Sequence, residues 1–215
     1  MLAGCGGSGS SSPGAESGPS GTGAASSPTG TATSGSATGT ATVVQGVRLT
    51  PDGSSLKVGD TARVSWQPDQ KTTGVVAIRV TKLEKVPISA FRDWRLTGSV
   101  ATSTPYYVHA TVKNLGSSNL SRVPVPLYLL DRSNTLLESS TFRARYAACP
   151  SLPFPSSFPK GKKTSVCLVY FAPHHGKLTA VSFRPTQDVA GITWRGPVVV
   201  VKAQHHRHQK KKSQH

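Results

Sequence analysis

The chain has 215 residues, and its 25 Lys and Arg against 9 Asp and Glu give a net charge of +16. No apolar run, Val198 to Val201 included, approaches the roughly 20 residues that cross a bilayer as a helix. No G-x-S-x-G, H-E-x-x-H, P-loop or Rossmann glycine pattern occurs, and basic runs lack the interleaved aromatics of a nucleic-acid platform, so neither a standard enzyme motif nor nucleic-acid recognition is expected.

Residues 6–42 are Gly, Ser, Thr, Ala and Pro, with Glu16 as the single charge. Such a stretch has no large apolar side chain to offset the entropy of ordering, which predicts a disordered spacer. As flexible coil it reaches roughly 30–40 Å. Ahead of it, Leu2-Ala3-Gly4-Cys5 resembles the lipobox of bacterial lipoproteins. The resemblance implies that the Cys5 thiol carries a diacylglyceryl group and that cleavage precedes it, leaving residues 1–5 as a remnant of the anchor. Two or three acyl chains hold a protein stably on a membrane, at about 0.8 kcal/mol per buried CH₂. Only Met1 precedes the box, so the charged and apolar parts of an export signal are expected upstream of Met1.

Residues 43–201 are expected to form one domain. Thr61 to Trp66 places Ala62, Val64 and Trp66 on one face; Val75 to Leu83 groups Val76, Ile78 and Val80; Tyr106 to Val112 groups Tyr106, Val108, Ala110 and Val112. This period of two predicts half-buried antiparallel strands. Ile88 to Leu96 is the single helix candidate, either one or two turns around Phe91 and Trp94 or an irregular excursion between strands, and Trp66, Phe91 and Trp94 are assigned to packing. Asn114 to Asn119 reads as a turn. Val123 to Leu130 is expected as an edge strand because Pro124 and Pro126 cannot donate to a ladder. Thr135 to Leu137, Thr164 to Phe171, Leu178 to Phe183 and Pro197 to Val201 complete the predicted strands. The fold class expected is all-β: a single antiparallel β-sandwich preceded by the spacer.

Cys149 and Cys167 remain once Cys5 is assigned to lipid. In an exported protein an even pair predicts a disulfide, here tying down the proline-rich segment Pro150 to Val166, which is expected to have little structure of its own. A metal pair is the alternative, without further ligands at suitable spacing.

The order of Gly59-Asp60-Thr61, Val76 to Lys82, Tyr106 to Gly116 (ending Val112-Lys113-Asn114-Leu115-Gly116), Leu127 to Asp131 and Cys167 to Pro173 resembles the uncharacterised immunoglobulin-like domains of actinobacterial and other Gram-positive lipoproteins. That resemblance implies an immunoglobulin-like sandwich, an extracellular location and a binding or structural role, and brings no catalytic residues.

Over residues 43–201 Lys and Arg outnumber Asp and Glu by 20 to 8, so the positive charge belongs to the body of the domain. Anionic surroundings follow: acidic headgroups or anionic wall polymer, with a glycan or protein partner as further options. The weak metal candidates are His174 and His175, placed in a turn, and His205, His206 and His208 in the His/Lys-rich tail, residues 202–215, which is expected to be disordered. Lys and Arg beside those histidines oppose a bound cation, and no cofactor is expected. The reading is a non-enzymatic lipoprotein at the extracellular face of the cell membrane. The alternative is an exported metal- or solute-handling protein that uses the histidine-rich tail.

Overall fold

The structure is a computed structural model, and it describes residues 42–202 except Gln187. In chain order the strands are β1 (Val43–Val44), β2 (Val47–Arg48), β3 (Ser55–Lys57), β4 (Thr61–Trp66), β5 (Gly74–Lys85), β6 (Thr104–Asn114), β7 (Tyr128–Asp131), β8 (Leu136–Leu137), β9 (Lys163–Ala172), β10 (Leu178–Phe183), β11 (Ile192–Arg195) and β12 (Val198–Val200). Beside the small β1–β2 hairpin they form two sheets, which gives the two-layer, all-β sandwich that alternation predicts. One runs β3-β11-β10-β7-β8; the other runs β12-β5-β6-β9, with β4 also on β5.

β5 organises the second sheet because its alternation of Val76, Ile78 and Val80 with Ala77 and Arg79 suits a strand covered on one face. β6 lies along one side of it, and β9 pairs with β6 from Thr104↔Ala172 to Lys113↔Lys163. The other side of β5 is shared. β4 takes Gly74 to Arg79, and β12 takes Leu83 to Lys85 in parallel. Between the two, the β5–β6 register shifts around Thr81.

The pairing departs from a wholly antiparallel sandwich at two places, β12 on β5 and β3 on β11. Both lie where the chain crosses between sheets, once at residues 58–60 and once at 196–197. A Cβ on Gly196 would stand 2.8 Å from Val58, so the crossings approach closely only because that position is glycine.

Between the sheets lie Trp194, Tyr170, Ile78, Leu83, Leu168 and their neighbours, all essentially buried. The polar atoms that enter this core are satisfied: Trp194 Nε1 donates to the Asp60 carbonyl at 3.1 Å, and the Tyr170 hydroxyl donates to the Leu127 carbonyl at 2.7 Å. Fully buried Asn114 builds the expected turn. Its amide donates to the Ser118 and Phe158 carbonyls, each at 2.8 Å, and its oxygen accepts from the Gly116 amide.

Two expectations need correction. The strand expected over Val123 to Leu130 exists only from Tyr128 onward, since Pro124 and Pro126 leave the preceding segment without ladder donors. The segment Pro150 to Val166 is packed rather than loose. Phe154 and Phe158 are buried and stacked with centroids 4.7 Å apart, and the Phe154 amide donates to the Val123 carbonyl at 3.0 Å. Over Ile88 to Leu96 the chain makes one 3-10 turn, Ile88–Phe91, and is then irregular, as the sequence allows; a further 3-10 turn lies at Gly98–Val100.

Candidate functional site

Strand parity decides what the second sheet shows to the outside. With Val108, Ala110 and Val112 of β6 turned into the core, Tyr107, His109, Thr111 and Lys113 point the other way. Half of that outer face is covered. The segments after β5 and after β8 lay a second apolar cluster on it: Phe91, Tyr146, Cys149, Val86, Tyr107 and Val169, flanked by Trp94, Phe142 and Phe171. Phe91 is its centre, 4.9 Å from the rings of both Tyr146 and Phe171. Phe91 and Trp94 are therefore packing residues, as is Trp66, which meets Phe183 edge-on in the main core.

The expected disulfide is formed. Cys149 and Cys167 are bridged with Cα atoms 5.2 Å apart, pinning the end of this outer layer to β9. The Ser151 amide donates to the Cys167 carbonyl at 2.9 Å and the Ser151 hydroxyl accepts from the Val169 amide at 3.0 Å, so the bridge sits in an ordered corner.

Beside it lies a cluster of titratable groups. Lys82 Nζ is 2.5 Å from one Glu84 oxygen, His109 Nε2 is 2.6 Å from the other, and Cys167 Sγ is 3.8 Å from the same His109 nitrogen. Burial acts to raise the Glu84 carboxyl, but hydrogen bonds and charge from Lys82 and His109 outweigh it, and the group is held below the usual carboxylate range. Tyr107 behaves oppositely. Burial and its hydrogen bond with Tyr146 push its hydroxyl far above the ordinary phenol value, so it stays neutral. The sulfur that His109 faces is committed to the disulfide, so this contact offers the His109–Glu84 pair no nucleophile to activate. Its chemistry is that of a charge-balanced brace between β5, β6 and β9.

His174 and His175 occupy the expected β9–β10 turn, both exposed and with positive φ of 52° and 55°. They line a cleft of about 620 Å³ with Asp131, Arg132, Ser133, Thr135 and Lys177. Asp131 is occupied there: its Oδ1 accepts from the Ser133 hydroxyl at 2.7 Å and the Thr135 amide at 2.9 Å. Arg132 and Lys177 bring positive charge to the same cleft. Among the described residues no group of three or more His, Cys, Asp or Glu is placed to hold a metal ion. Cys5, His205, His206 and His208 lie outside the described residues.

The acid–histidine pair escapes a reading of sequence alone. Glu84 and His109 are 25 positions apart, and the β-bulge near Thr81 places Lys82, not Thr81, opposite His109. The outward parity of His109 was the one available signal.

No protein-family model and no curated protein matches the chain. Among solved structures, it is similar to MPT63, a secreted protein from Mycobacterium tuberculosis, with a TM-score of 0.44, 13% identity, and coverage of 66% of this chain and 96% of that one. It is also similar to the yjhA protein from Bacillus subtilis, with a TM-score of 0.39, 14% identity, and coverage of 65% and 98%. At these scores the likenesses carry no argument about function.

Proposed function

We propose that the protein is exported, is held by acyl chains on Cys5 at the outer face of a cell membrane, and presents its sandwich as a non-enzymatic binding or structural module. The observation that supports this best is the Cys149–Cys167 bridge. Stable structural disulfides belong to oxidising compartments, and the bridge uses both cysteines other than the one in the lipobox-like Leu2-Ala3-Gly4-Cys5. The Gly/Ser/Thr-rich spacer then separates anchor from domain.

Expression of the whole gene carrying Cys5→Ser, followed by fractionation, tests the reading. Wild-type protein should sediment with membranes and the variant should be released in soluble, disulfide-bonded form. Equal membrane retention of both would overturn the anchor.

A further inference from the structure

One half of the second sheet's outer face is covered by the aromatic layer around Phe91; the other half is open, and its register builds an arrangement of cations. One row across the strands reads Arg63, Ala77, Lys113, Lys163, and the next reads Thr61, Arg79, Thr111, Ser165. All four cations are exposed, while Ala62, Val64, Ile78 and Val112 between them are buried. Lys113 and Lys163 stand directly opposite each other, about 5 Å apart at Cβ, where like charges destabilise a sheet. Arg63 and Arg79 are diagonal neighbours at about 7–8 Å.

Among the described residues none of the four cations forms an ion pair. The acids flanking β4 are used locally: Asp60 accepts from the Lys57 amide at 2.9 Å, and Asp69 accepts from the Lys71 and Thr72 amides at 2.8 and 2.7 Å. Lys160 and Lys162, exposed in the turn before β9, add charge at the same end.

We propose that this open end is a docking trough for a linear polyanion with a phosphate at each repeat. The floor is the row of short hydroxyls, Thr61, Thr111 and Ser165, around Arg79. One wall is Arg63, Lys113 and Lys163. Opposite it, Lys82 and His109 stand beside the disulfide-tied layer; both are paired with Glu84, so they bound the trough without adding uncompensated charge. Arginine supplies a fork that fits phosphate oxygens, lysine a point charge, and hydroxyls on the floor donate hydrogen bonds. A bilayer surface would rest on the tips of the long cations and leave the floor hydroxyls unused. A thin extended chain reaches both. The inference deepens the proposed envelope role by naming a partner, yet it does not depend on the lipid anchor.

The test uses the full chain carrying Cys5→Ser, so that acyl chains cannot insert, with inorganic polyphosphate as one probe and phosphatidylglycerol-containing vesicles as the other. Lys113→Glu converts the cross-strand repulsion into an attractive pair with Lys163. It should raise the unfolding midpoint by about 1–3 °C while weakening polyphosphate binding about tenfold. Thr111→Val should weaken polyphosphate binding and leave any vesicle binding unchanged. Lys177→Glu, an equal charge change at the distant cleft, should alter affinity less than about twofold. Lys163→Gln, which adds no new charge, should weaken binding severalfold without lowering the midpoint.

Equal losses from Lys113→Glu and Lys177→Glu would show a response to net charge alone and overturn the trough. Binding to vesicles without binding to polyphosphate would overturn it in favour of a membrane surface. Either failure leaves the Cys5 fractionation result untouched, so the two readings are separable.

Discussion

Replacing Phe91 by Ala isolates the outer aromatic layer from the main core. Phe91 is 0% exposed and touches the rings of Tyr146, Phe171, Tyr107 and Phe142. Removing a fully buried phenylalanine costs about 3–5 kcal/mol through lost transfer energy and the cavity left behind. Aromatic pairs add about 0.5–1.5 kcal/mol each beyond area, so the upper part of that range is expected here. A domain of this size has roughly 5–15 kcal/mol in hand; the variant should fold but sit near its threshold. Urea unfolding followed by circular dichroism gives the total loss, and hydrogen exchange locates it. Amides of residues 88–96 should lose protection first, while those of Val76 to Val80 in β5 remain tied to global unfolding. A loss below about 1 kcal/mol, or uniform loss of protection across β5 and residues 88–96, would refute the claim that these rings form a separate covering layer.

Cys149→Ala with Cys167→Ala should lower stability by about 3 kcal/mol, as expected for opening a loop of 18 residues, and reducing the wild type should reproduce the loss in urea titrations. Gly74→Ala should cost about 1–3 kcal/mol by the same assay, because the new Cβ would lie 2.7 Å from the Trp66 ring and force β4 and β5 apart. Glu84 gives a pH prediction. Its folded-state carboxyl is held below the unfolded value, so it contributes stability above the ordinary carboxylate range, near pH 4.3, and that contribution fades as pH falls through the depressed folded value. Glu84→Gln should therefore be less stable than wild type at neutral pH, with the gap narrowing in acid unfolding curves.

Thr61–Trp66 is legible in the sequence because one face is covered and alternation records that directly; Leu178–Phe183, whose bounds also match the structure, is buried on both faces from Ala180 onward. β3 and β11 are not legible. Each is only three or four residues long, and they find each other across most of the domain, Thr193 beside Ser55, where no local pattern reports the pairing. The prolines around Pro150 to Pro159 suggested a loose segment, yet proline removes backbone donors without preventing Phe154 and Phe158 from burying their rings. The disulfide was readable from cysteine arithmetic. The Lys82–Glu84–His109 cluster depends on the shifted register at Thr81, and the cationic trough depends on four strands lying in register, so both required coordinates.

We propose a chain that works outside the cell on a lipid tether. Mass spectrometry of the amino-terminal peptide from native membranes tests it most directly. The expected result is a peptide beginning at Cys5 and heavier by a diacylglyceryl group, with Cys149 and Cys167 recovered as a disulfide. An unmodified peptide continuing through Gly4 and Ala3, with the later thiols reduced, would contradict it.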